Sequence, residues 1–307
     1  MKESFVMMAV ATGKASTDST TIKNYMGVAS VRVLAVNPTK EKLSEIYGRE
    51  IEKDQVYVGQ TNPTDGSRPV QQIRIAFICK TDPEVSCNNG IEEFFSHTFF
   101  LNKAFQYNKD KTKIKVIDKF GDTAWVKPDE LKNNEIPVYA NGPARLNSDY
   151  RPMYIGEEEL TQFIKSYLNI PSAYDYNSNT KIWSLKANAS DSECRLDNIE
   201  KYFTGDISEI RDIIGYQPNN RVKILTGVRT TEDNKQYQTT YNRMALKNSI
   251  TNYSALKSDV EERKANGAYA NTEFDFLDLH EYVVSPTKFA EDDDPFGGTA
   301  VEDLPFA

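Results

Sequence analysis

The stretch 71–80 constrains the fold more than any other. Ile73, Ile75, Phe77 and Cys79 alternate there with Gln72, Arg74 and Ala76. A period of two sends neighbouring side chains to opposite faces, so this segment is a strand with one face buried. Residues 28–36, 96–102 and 113–118 carry similar apolar and β-branched patterns, and 123–127 can pair with 113–118 across Gly121-Asp122. Two further strands, 221–230 and 236–246, flank Thr231-Glu232-Asp233-Asn234, which suits a hairpin loop.

Helical spacing appears between these strand groups. Leu160, Phe163, Ile164, Tyr167 and Leu168 share a face over 157–169, and Glu157, Glu158 and Glu159 occupy its first turn. Carboxylates there complement the positive end of the helix dipole. A second short helix is expected over 206–214, stopped by Gly215, and a charged one over 254–266, stopped by Gly267. Polar stretches with Pro and Gly, 61–69 and 132–151, read as surface connections.

Strands open the chain, helices interrupt and strands return. The expected fold is mainly β with helical insertions: an OB-like small barrel over 1–284, its helical insertion at about 156–215. A ferredoxin-like or sandwich arrangement fits the same pattern. The chain of 307 residues, 39 % of them hydrophobic, can bury a sizeable core.

Several functions lack their residues. His97 and His280 lie far apart, and Cys79, Cys87 and Cys194 show no CxxC spacing, so neither metal nor cofactor is expected. Three cysteines make a poor disulfide framework and suit a reducing compartment, the cytoplasm. No run reaches the roughly 18 apolar residues of a membrane span. The short apolar run 5–11 has Glu3 where a signal peptide would be basic, and reads as an N-terminal strand. The P-loop, dinucleotide-binding, nucleophile-elbow and zinc-protease motifs are absent, and Gly13-Lys14 lacks the upstream glycine of a P-loop. Carboxylate pairs such as Glu92-Glu93 and Glu261-Glu262 read as solvated faces. The expectation is a binding protein, not an enzyme.

Net charge is −8 and is unevenly spread. Residues 273–307 hold ten carboxylates and one base, Lys288, which leaves residues 1–272 near neutrality. Beyond residue 285 no apolar periodicity remains, and such a segment cannot bury enough surface to order itself. Within it an acidic run followed by Pro-Phe occurs twice: Asp292, Asp293, Asp294, Pro295, Phe296, and then Glu302, Asp303, Leu304, Pro305, Phe306.

This ending resembles the C-terminal tip of bacterial single-stranded DNA-binding proteins, which ends in Asp-Asp-Asp-Ile-Pro-Phe. It is also similar to the acidic, aromatic-ended tails of phage-encoded single-stranded DNA-binding proteins. The likeness covers about 16 of the 307 residues. No Ile precedes Pro295, and Ala307 follows Phe306. The resemblance implies a protein that binds single-stranded DNA without sequence preference during replication, recombination or repair. Its tail would recruit replication or recombination proteins through Asp292, Asp293, Asp294, Pro295, Phe296, Glu302, Asp303, Pro305 and Phe306. It would work in the host cytoplasm if phage-encoded, and homo-oligomers are compatible with it.

Single strands are held by cations that track phosphates and aromatic rings that stack on bases. Residues of that kind cluster on the returning hairpin as Arg221, Lys223, Arg229, Tyr237, Tyr241 and Arg243. The last three of these share strand parity. A second set is Lys113, Lys115, Lys119 and Trp125, with Arg74 extending the strip. Tyr139, Tyr150, Arg151 and Tyr154 form another cluster in loop sequence. Two other functions fit a chain of this kind: a phage virion or assembly protein docking through its acidic tail, and a metal-dependent nuclease using scattered carboxylates.

Overall fold

The computed structural model describes residues 23–63, 67–132 and 150–283. The expected N-terminal strand over 5–11, most of the 132–151 connection, Tyr139 and the acidic Pro-Phe tail lie outside these residues.

In chain order the first half contains β1 (Tyr25–Val36), α1 (Lys40–Tyr47), β2 (Val58–Gln60), β3 (Gln71–Thr81) and β4 (Phe94–Phe105). A small unit follows: β5 (Ile114–Ile117), β6 (Thr123–Val126), α2 (Pro128–Lys132) and β7 (Arg151–Pro152). Next come β8 (Tyr154–Ile155), α3 (Glu157–Tyr167), a hairpin of β9 (Tyr174–Asn177) and β10 (Ile182–Leu185), then α4 (Ile199–Tyr202) and α5 (Ser208–Tyr216). The chain returns through β11 (Val222–Thr230), β12 (Gln236–Lys247), α6 (Ser254–Ala265), β13 (Thr272–Phe274) and β14 (His280–Glu281).

Among the described residues nine strands form one sheet, whose main path runs β12-β11-β1-β3-β4-β8 with antiparallel neighbours. The protein is mainly β, and this sheet curls into a half-barrel. Its ends approach one another. His97 Nδ1 of β4 lies 3.0 Å from Thr240 Oγ1 of β12, and Asn242 Nδ2 donates to Thr98 O at 2.9 Å. Side chains, in place of a backbone ladder, bridge this seam.

The alternation in β3 holds towards its ends, while in its middle both faces are covered, since Ala76 and Ile78 of the opposite parity are buried too. Ile73, Ile75, Phe77 and Cys79 are fully buried on the concave face, joined from β4 by Phe95, Phe99 and Leu101. The helix α3 plugs that face. Phe163 sits 4.7 Å from the Phe77 ring, 5.4 Å from Phe99 and 5.1 Å from His97. Between Lys223 and Leu225 the β11–β12 ladder shifts register, which leaves β12 backbone around Ala245 without a strand partner. The Gln162 amide of α3 supplies the missing bonds: its Oε1 accepts from Ala245 N at 2.8 Å and its Nε2 donates to Ala245 O.

Gly156 starts α3 at φ +90, and a Cβ there would stand 2.0 Å from the Phe100 carbonyl oxygen. Only glycine lets the chain turn from β8 into α3 this close to β4. A second core lies on the other side of β11 and β12, where Leu256 and Val260 of α6 cover Val28, Leu225 and Tyr241.

Candidate nucleic-acid interface

The predicted contact residues do not form one strip. Tyr241 is fully buried, and its hydroxyl donates to Asp259 of α6. Its expected role as a base platform is therefore corrected. Tyr237 and Tyr241 do share parity, but α6 packs over the middle of that face and leaves only its end open. Lys223 is corrected for a similar reason. It is 5 % exposed, and its Nζ turns inward to donate to Ile250 O at 2.6 Å, with the Tyr253 hydroxyl at 3.1 Å.

Other cations are held in ion pairs. Arg221 meets Asp82, Arg243 meets Glu159, Lys115 meets Glu158, and Lys119 lies 3.2 Å from Glu193. The Arg221 guanidinium holds the Asp82 carboxyl below the ordinary carboxylate range. Lys115 also lies over Trp125, 5.5 Å from the ring centre, so half-buried Trp125 is stacked within its own small sheet. Lys113 stands just before that sheet, half-buried, with its backbone N donating to Asn108 Oδ1 at 2.8 Å. In the remaining cluster, Arg151 pairs with the buried carboxylate of Glu157, Tyr154 is buried with its hydroxyl on Glu200, and Tyr150 packs against the small sheet's core.

What the structure does bring together is a face that the sequence reading missed, apart from Arg74, Tyr237 and Arg229. On the convex side of β3 and β4, Arg74 stands directly opposite Phe100 in the ladder, and Lys80 opposite Phe94. Phe100 is 46 % exposed. Arg74 lies 5.9 Å from the ring centre of Tyr57, which comes from the β1–β3 connection. Lys80 sits 5.3 Å over the Phe94 ring and pairs with Glu92. Ser96 and Thr98 separate the rings, and beyond Phe100 the Asn102 Oδ1 accepts from Gln72 Nε2 at 2.7 Å. At the Phe94 end the β11–β12 hairpin brings Tyr237, 40 % exposed, with exposed Arg229 opposite it in register.

The signal for this face lay in β4. Phe94, Ser96, Thr98 and Phe100 have one parity, Phe95, His97, Phe99 and Leu101 the other. Rings on both faces of a strand mean that one set stands outside the core. Chemically, the convex face combines flat rings with a guanidinium beside the Tyr57 ring and opposite Phe100 in register, flanked by short hydroxyl and amide side chains. It can stack on unpaired bases and meet phosphates, and it offers no nucleophile–base pair. Among the described residues no group of three or more His, Cys, Asp or Glu side chains could hold a metal ion. No helix among them is long and apolar enough to cross a membrane.

No family model, curated protein or solved structure matches this chain.

Proposed function

We propose that this protein binds single-stranded DNA without catalysis, through the convex face of β3 and β4, and protects it during replication or recombination. The observation that carries the reading is the Arg74–Phe100 pair, continued by Phe94, Lys80 and Tyr237 on the same side. Base–aromatic stacking contributes roughly 1–3 kcal/mol per base and tolerates any sequence.

Topology supports the reading. The strands β1, β3, β4, β11 and β12 follow one another in the chain and neighbour in the order first, second, third, fifth, fourth, with the third and fifth meeting at the seam. We read this as an OB-type barrel. Such barrels bind oligonucleotides on the second and third strands and the loops beside them. The Tyr57 connection and the 231–235 hairpin occupy those loop positions here.

Because most candidate cations are already paired, stacking outweighs phosphate neutralisation in this account. We further propose that the tail motifs ending in Phe296 and Phe306 recruit replication or recombination proteins, with their rings as anchors.

The test is a fluorescence-anisotropy titration of labelled oligo-dT and of the matching duplex over a range of salt. Oligo-dT should bind far more tightly than duplex. The log–log salt slope should be shallow, about −0.7 for each of only a few phosphates neutralised. Equal affinity for duplex and single strand would remove the reading.

A further inference from the structure

Where β4 and β12 begin, the seam between them opens into a cleft of about 320 Å³. That size lies at the small end of the roughly 300–1,000 Å³ of small-ligand sites. Its walls include the rings of Tyr47, Phe94 and Tyr237. Tyr47 meets Phe94 edge to face at 5.8 Å, which fixes that wall. Tyr237 stacks on no other ring among the described residues, so its face is open to a planar guest.

Among the polar residues that border the same space are Glu93, Gln236 and Lys23, whose amine is paired with Glu281 at 2.9 Å. The Glu93 carboxylate shares a hydrogen bond with the Tyr25 hydroxyl. The Gln236 amide has no hydrogen-bond partner among the described residues, only its backbone being paired, with Thr230. With the Lys23 charge taken up by Glu281, aromatic walls beside a carboxylate favour a neutral planar ring over a phosphate. An ionised carboxylate only accepts hydrogen bonds. Cytosine presents an exocyclic amine at its edge to such an acceptor, whereas the only ring donor of thymine, N3–H, lies between two carbonyls that a carboxylate repels.

We propose that this cleft captures one unstacked nucleobase of a bound strand and favours amine-bearing bases, cytosine among them, over thymine. The inference rests on the single-strand-binding reading and adds to it one discriminating position within an otherwise sequence-tolerant face. Phe94 belongs both to the cleft and to the same face of β4 as Phe100, which joins the opening to the proposed binding face. Burial pushes the Glu93 carboxyl upward from its ordinary value, a mark of partial desolvation, and desolvation strengthens a charge-assisted hydrogen bond.

The experiment compares equal-length oligo-dC and oligo-dT on the full chain, its Glu93→Gln variant and its Tyr237→Ala variant. One hydrogen bond to a charged group corresponds to roughly a tenfold preference, so wild type should bind oligo-dC about tenfold more tightly. Glu93→Gln should bring the two affinities together, because an amide can present either a donor or an acceptor. Tyr237 is a surface residue, so its replacement tests the cleft without touching the core. Tyr237→Ala should weaken both complexes and shrink the ratio. Equal affinity of wild type for the two oligonucleotides, or a ratio unchanged in both variants, overturns the base-capture inference while leaving single-strand binding standing. No binding of either oligonucleotide overturns the reading beneath it.

Discussion

His97 provides a sharp test of how the barrel is filled. Its ring is 1 % exposed, stacked on Phe163 at 5.1 Å and edge-on to Phe99 at 4.9 Å, with Nδ1 directed at Thr240 across the seam. Burial disfavours the charged imidazolium and pulls the pKa down from 6.5 to about 3. In the unfolded chain the same group titrates near its ordinary value. Above that value neither state is charged and the stabilising contribution is whole. As pH falls below it, the unfolded state takes up a proton that the folded state refuses, and stability is lost until the folded pKa is reached. One pKa unit corresponds to about 1.36 kcal/mol, so lowering the pH from 7 to 5 should remove about 2 kcal/mol through this residue alone. Urea unfolding of wild type and His97→Phe at both pH values isolates the effect, because the variant keeps an aromatic ring in the stack and loses the proton site. The pH-dependent loss should be about 2 kcal/mol smaller in the variant. Identical losses in the two proteins would refute the assignment of a neutral, buried His97.

Three further outcomes follow from the packing and the face. Tyr241→Ala should lower stability by roughly 3–5 kcal/mol in urea unfolding, as for a large buried aromatic; a change confined to DNA affinity would put the residue back on the surface. Gly156→Ala should destabilise the fold by more than about 1 kcal/mol, since it adds a Cβ at positive φ against a β4 carbonyl; an unchanged melting temperature would contradict the close approach. Phe100→Ala should leave thermal stability nearly unchanged and weaken oligo-dT binding by roughly 1–3 kcal/mol, as read by anisotropy; unaltered affinity would remove Phe100 from the interface.

The long strands were legible because a half-buried strand writes its period directly into the chain. The run through Ile73, Ile75, Phe77 and Cys79 marks β3, and the paired runs around Thr231–Asn234 mark the β11–β12 hairpin. The helix face from Leu160 to Tyr167 was legible for the same reason. Helix α1 was overlooked, although Thr39 caps its start and Gly48 ends it in the left-handed conformation. Its apolar face is narrow, with Leu43 alone buried.

Parity says which residues share a face and not what covers that face. Tyr237 and Tyr241 illustrate this. Their common parity was right, but the docking of α6 depends on residues some fifteen positions further on, Leu256 and Val260. Lys223 shows a related limit: a register shift and the carbonyl of Ile250 draw its amine inward. Ion pairs such as Arg243–Glu159 join segments far apart in the chain, so an abundance of Lys and Arg overstates the positive surface. Conversely, the second set of rings in β4 was visible as alternation between Phe94 and Phe100, and only the strand's position in the sheet identifies which set faces outward.

Photo-crosslinking of the full chain to an oligonucleotide carrying 5-iodouracil, with the attachment sites mapped by mass spectrometry, tests the central proposal most directly. Crosslinks should fall on Phe100, Phe94 and Tyr237 and disappear in competition with unlabelled single strand but not with duplex. Crosslinks confined to the β5–β6 sheet around Trp125, or no crosslink at an oligonucleotide concentration that saturates the protein, would contradict a single-strand interface on the convex face of β3 and β4.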